Sequence, residues 1–178
     1  MGLHRPPSGP AVVTLALKFA QAGVGGAREL LAKCLVDSDI QVRLAGAVAL
    51  SAFDRPAAIR QLATELSNSE RAYRDRASDY LLMLGDARGI PSLIERLDDP
   101  FESIARFACH DLRIYTQQPR PCDPSLPADQ RARNSSGWRE WWRTNAQTFR
   151  VMSKEAELDG AAWPSVAPVS FRPAETID

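Results

Sequence analysis

Leucines recur in this chain every 31 residues. Leu31, Leu62 and Leu93 form one row, Leu35, Leu66 and Leu97 a second, and Leu50, Leu81 and Leu112 a third. Two more rows keep their character: Val42, Tyr73 and Ile104 are apolar, and Gly46, Ala77 and Ala108 are small. Between the rows, apolar residues fall three and four apart, as in Val42, Ala45, Gly46, Ala49, Leu50 and Phe53, or Tyr73, Ala77, Tyr80, Leu81 and Leu84. That spacing marks one buried helical stripe. A helical unit repeated every 20–50 residues or so cannot bury its apolar face alone and must stack on its neighbours. The spacing therefore predicts an all-α solenoid of helical pairs, with the small row letting helices approach closely.

Turn chemistry divides the repeats. Helices are expected near 26–36 and 39–53, 56–67 and 70–84, and 87–98 and 101–115. The joints Asp37-Ser38-Asp39, Asn68-Ser69-Glu70 and Asp98-Asp99-Pro100 supply N-caps, and Pro100 suits a helix start. Gly85 suits a left-handed helix end. Residues 1–10, with three prolines and two glycines, read as disordered. Residues 11–22 read as one helix, the second half of a truncated first unit, so the repeat domain is expected to span 11–116. Ala20-Gln21-Ala22 mimics a signal cleavage site, but Lys18 interrupts the apolar run. Residues 117–150 read as a Pro-rich loop plus a Trp-bearing capping helix from Trp138 to Phe149, preceded by a short helical turn at 128–133. Residues 151–178 read as a flexible tail.

Twenty-two basic residues balance 22 acidic ones, which disfavours a phosphate-backbone binder. Residues 117–150 carry six Arg against three acidic groups, a modest local surplus. Cys34, Cys109 and Cys122 are odd in number and form no C-x-x-C pair. Free thiols and a reducing, cytoplasmic setting are the expectation. No run of 18 apolar residues exists, so no transmembrane helix is expected. Cys109, His110, Cys122 and Asp123 are possible metal ligands, but adjacent helical residues point about 100° apart, so Cys109 and His110 cannot easily share a metal. No nucleophile elbow, P-loop or dinucleotide fingerprint occurs, and the only histidines are His4 and His110. The chain reads as non-catalytic, with no cofactor and no metal.

The units resemble HEAT repeats in their short bacterial form, often grouped with phycobilisome-lyase-type repeats. The family pattern has a proline in the first helix, an aspartate at the inter-helix turn and Val-Arg after it. Asp37 with Val42-Arg43 matches fully; Asn68 with Tyr73-Arg74 matches in part. Pro91, Asp99 and Ile104 match, but Ala105 replaces the arginine. Gly85 to Ile94 is close to the usual inter-repeat sequence. Tyr115-Thr116-Gln117-Gln118, Asp123-Pro124 and Trp138 to Asn145 are similar to a recurrent terminus of bacterial HEAT proteins, with Gln117 where glycine is usual and Asn134-Ser135-Ser136-Gly137 weakening the helix before the tryptophans. The resemblance covers roughly 26–145. It implies a right-handed α-solenoid with a helical C-terminal cap, and a scaffold role.

The resemblance also implies that Asp37, Arg43, Arg74 and Asp99 form a polar ladder at the turns, and that the second helices line a concave face. Rows whose chemistry changes freely should be exposed there: Leu44, Asp75 and Arg106, then Val48, Asp79 and His110. Asp75, Arg76, Asp79, Arg106 and His110 then form a mixed-charge strip suited to a protein or peptide partner. Trp138, Trp141 and Trp142 should cap the last unit. The expected molecule is a monomeric protein-interaction scaffold. The alternatives are a phycobilin-lyase-like or other enzyme-accessory HEAT protein, or a HEAT-type nucleic-acid binder.

Overall fold

The computed structural model describes residues 26–151 together with Lys18, which is helical and exposed. The expected disordered N-terminus, the rest of the leading helix 11–22 and the tail from 152 onward lie outside the described residues. The described chain is all-helical: α1 (Ala27–Cys34), α2 (Ile40–Leu50), α3 (Arg55–Glu65), α4 (Arg71–Met83), a 3-10 turn (Ala87–Gly89) leading into α5 (Ile90–Arg96), α6 (Glu102–Thr116) and α7 (Ala128–Asn145). Each helix packs on the next through α6, α2 also touches α4, and α7 lies on α5. Three stacked pairs and a cap result, a helical solenoid.

The turns repeat a device as well as a sequence. The Asp37 carboxylate accepts the Asp39 N–H at 2.8 Å, Asn68 Oδ1 accepts the Glu70 N–H at 3.0 Å, and Asp99 accepts the Phe101 N–H at 2.9 Å. Each side chain thus closes an Asx-turn before a second helix. Asp39 and Asp54 cap α2 and α3 by accepting the N–H groups of Gln41 and Ala57. Pro100 does not open a helix; it precedes Phe101, the N-cap, and α6 starts at Glu102. Gly85, at φ 69°, makes the left-handed turn between the second and third units.

The leucine rows fill the core: Leu31, Leu62, Leu93, Leu81 and Leu112 are fully buried. Gly46 shows why its row is small. A Cβ there would lie 2.5 Å from Cys34 Cβ, so α2 could not sit this close to α1. Three residues depart from the expectation of their rows. Leu44 is 1 % exposed, because Leu62 and Leu81 of the next unit pack over it. Phe53 is 43 % exposed, because it lies beyond the end of α2, outside the packed stripe. Ile104 also leaves the core, although its row is buried at Val42.

At the turns, Arg43 donates to the Asp37 and Ser38 carbonyls at 2.9 and 3.1 Å and pairs with Glu65 of α3 through Nε at 2.7 Å. Arg74 donates to the Asn68 and Ser69 carbonyls at 2.7 and 2.8 Å. The third unit has Ala105 at this register position, and Arg131 of α7 instead donates to the Asp99 carbonyl at 3.1 Å. Arg71 pairs with the Asp99 carboxylate at 2.7 Å, tying unit two to unit three.

The cap is one continuous helix through 134–137, where the sequence suggested a break. The Ser135 and Ser136 hydroxyls bond back to the Ala132 carbonyl, so they do not compete with the helix. Ser135 and Arg139 also reach Asp98 at 2.8 and 2.5 Å. Trp138 is 0 % exposed, its indole N–H donating to the Pro121 carbonyl at 3.2 Å. Trp141 is buried and Trp142 half-buried, with Phe149 folded back onto both rings. These rings join one core with Leu93, Leu112 and Tyr115.

Cys109 and Cys122 form a disulfide across a Cα–Cα distance of 5.5 Å. This overturns the free-thiol expectation for both. The pairing brings a helical residue against a Pro-rich loop that doubles back, a closure that residue spacing does not reveal. Cys34 is free and buried, and burial raises its thiol pKa, as expected for an inert core residue.

Candidate functional site: the second-helix face and its terminal cleft

The five strip residues sit on α4 and α6, but they have different environments. Asp75 accepts the Ser92 hydroxyl at 2.7 Å and lies 3.4 Å from Arg71 Nε. Asp79 accepts Arg96 Nη2 at 2.5 Å. Arg96 is nearly buried and comes from α5, so these carboxylates bind unit two to unit three. Burial pushes the Asp79 carboxyl above its ordinary range, and the Arg96 hydrogen bond and charge offset part of that. Burial, with the charges of Asp111 and Asp79, likewise raises the Tyr115 phenol.

Arg76, Arg106 and His110 are exposed. Arg106 pairs with Glu102 one turn back, and His110 Nδ1 lies 3.1 Å from its neighbour Asp111. The structure thus divides the strip into an inter-unit clasp (Asp75, Asp79) and an accessible set (Arg76, Arg106, His110).

Beyond that set, α6 and the disulfide-held loop enclose a cleft of about 510 Å³. Arg106, His110, Arg113 and Ile114 line it from the helix, and Asp123 and Pro124 from the loop; the disulfide Cys109 is at its base. Asp123 is held by the Ser125 N–H at 2.9 Å and hydroxyl at 2.7 Å, and these bonds, with the Arg113 charge, keep its carboxyl below the usual range. Phe107 on α6 is 70 % exposed, and Phe101, the N-cap of that helix, is exposed as well.

Arg113, Ile114 and Phe107 were not singled out from the sequence. A signal for Phe107 was present: Ala45, Arg76 and Phe107 share a row whose chemistry changes from unit to unit. The loop wall had none, because it depends on the disulfide. Among the described residues no group of three His, Cys, Asp or Glu side chains is placed to hold a metal ion, and no helix is long and apolar enough to cross a membrane.

Comparison with known proteins supports the repeat assignment. The family model for HEAT repeats matches residues 27–113, the three helical pairs apart from the last residues of α6. Neither a curated protein nor a solved structure matches the chain. Residues 27–113 are a run of HEAT repeats, closed by a helical cap.

Proposed function

We propose that this chain is a non-catalytic scaffold that binds a protein or peptide on the face formed by its second helices. HEAT repeats generally mediate protein–protein interaction. The supporting observation is the change along one register row: Leu44 is buried, Asp75 is engaged by Ser92, and Arg106 is exposed. The last unit therefore presents functional groups where the earlier units use the same position for stacking. Arg76, Arg106 and His110 are the accessible contacts; Asp75 and Asp79 position α5 beneath them. The balanced net charge favours a protein over a phosphate backbone.

The compartment is part of this reading. The Cys109–Cys122 bridge favours maturation in an oxidising setting over the reducing cytoplasm.

The test is affinity capture with chemical cross-linking from cells of the source organism. Specific partners should cross-link to α4 and α6, and Arg76→Glu with Arg106→Glu should abolish capture without lowering the melting temperature. Capture that survives this double change would refute the assigned face. A coloured purified protein or a bound bilin would refute the scaffold reading in favour of a lyase-like one.

A further inference from the structure

We infer that the cleft between α6 and the disulfide-held loop docks an acidic peptide segment that carries an apolar anchor residue. This rests on the partner-binding reading above and goes further, naming both a pocket and the chemistry that fills it. Three observations support it.

The first is charge. Arg106, His110 and Arg113 line the cleft with one lining carboxylate, Asp123, which Ser125 already holds from two sides, while Glu102 pairs with Arg106 and Asp111 lies against His110 from outside the lining. Arg113 is exposed, and the Arg106–Glu102 pair is a solvent-exposed one that a bound carboxylate can displace at little cost, so these two guanidiniums supply the positive charge. An acidic side chain entering the cleft meets complementary charge at short range, and a basic one is repelled.

The second is the apolar surface between those charges. Ile114 and Pro124 line the cleft, and Phe107, outside that lining, stands 70 % exposed next to Arg106 in sequence and one turn before His110. At the corresponding position the first unit has Ala45 and the second Arg76, so the phenyl ring belongs to this end of the solenoid alone. An exposed aromatic beside arginines is the composition of an interface centre. A volume of about 510 Å³ accommodates one or two side chains of a bound peptide, not a folded domain.

The third is rigidity. The loop wall is covalently fixed to α6 through Cys109–Cys122 and hydrogen-bonded to α7, where Trp138 Nε1 donates to the Pro121 carbonyl and Arg120 donates to the Gly137 carbonyl at 3.1 Å. A preformed wall spares the ordering cost of binding.

The probe is a random 16-residue peptide library displayed on phage and panned against the oxidised protein. Enriched peptides should combine Asp or Glu with Leu, Ile or an aromatic residue. Measured as synthetic peptides by fluorescence anisotropy, they should weaken by about tenfold or more on Arg106→Glu with Arg113→Glu, and on Phe107→Ser. Replacing their acidic residues by lysine should abolish binding. All three changes are at exposed positions, and unchanged circular dichroism and melting temperature will show that the fold is intact. Enrichment of peptides without acidic bias, or of acidic peptides that bind the Arg106/Arg113 variant equally well, overturns the inference. If such peptides respond instead to Arg76→Glu, the scaffold reading stands and this pocket does not. If no peptide is enriched, the pocket inference fails, and the capture experiment decides the scaffold reading separately.

Discussion

The first two units and the third are held together by different means. In the first two units the devices lie within the repeats: Gly46 against Cys34 and Arg43 on its own turn inside unit one, and Glu65 reaching Arg43 across the seam to unit two. At the third unit the register fails. Arg43 and Arg74 give way to Ala105, and Val42 gives way to an exposed Ile104. The missing contacts come from outside the repeat. Arg131 of the cap supplies the absent arginine's hydrogen bond to the turn carbonyl, Ser135 and Arg139 hold Asp98, and a disulfide fixes the loop. Among the described residues the third unit has no further repeat beside it, and it is finished by a helix that reproduces one repeat contact and covers the core with tryptophan. Because α7 lies on α5, the outward side of α6 stays open.

Mutations can break this contrast. The largest effect should follow Trp138→Ala, which empties the fully buried centre of the cap. Truncations of this kind cost about 3–5 kcal/mol, and thermal or urea unfolding will measure it. A cost under about 1 kcal/mol would show that α7 only decorates the end.

Next in size is the bridge. Replacing Cys109 and Cys122 by alanine should cost about 2–4 kcal/mol, since the closed loop of 13 residues loses its constraint. Dithiothreitol should lower the melting temperature of the parent protein and leave that of the variant unchanged.

Glu65 tests the in-register seam. The Arg43 hydrogen bond holds its carboxyl below the usual range. A depressed folded-state pKa means stability that is fully present above the unfolded value of about 4.3 and lost as pH falls through the folded one. Glu65→Gln should therefore cost about 1.5–3 kcal/mol at neutral pH, and the gap to the parent protein should narrow below about pH 4. A gap independent of pH would mean that the Arg43–Glu65 charge pair contributes nothing.

The smallest effect is a gain. Gln117 ends α6 at φ 54°, a left-handed conformation that suits glycine. Gln117→Gly should stabilise by up to about 1 kcal/mol, because relief of Cβ strain outweighs the added freedom of the unfolded chain.

The sequence revealed the regular part because a solenoid repeats its physics. The leucine rows, the small row and the Asx-turn residues recur at 31, and the helices fall within a few residues of where that register puts them. What it hid is what occurs once. Glu65 is 22 positions from Arg43 and has no counterpart in its row, since the next residue is Arg96. Arg131 lies on a helix with no register, and the Cys109–Cys122 closure follows from the path of a Pro-rich loop. Leu44 was misplaced for a related reason. Row comparison assumes equivalent neighbours, but unit two stacks on Leu44 while the open cleft lies beside Arg106. The candidate cleft was half legible: the repeat rows name Arg106 and His110, which line it, but do not name Arg113 or the loop wall.

The central claim is that α7 closes the solenoid locally, as a neighbour of the third unit. Native-state hydrogen exchange on Trp138→Ala tests it most directly, because stacked repeats are stabilised chiefly by adjacent units. Amides of α5 and α6 should lose protection, while those of α1 and α2 keep most of theirs. Equal loss in all helices, or intact protection in α5 and α6, would contradict the account.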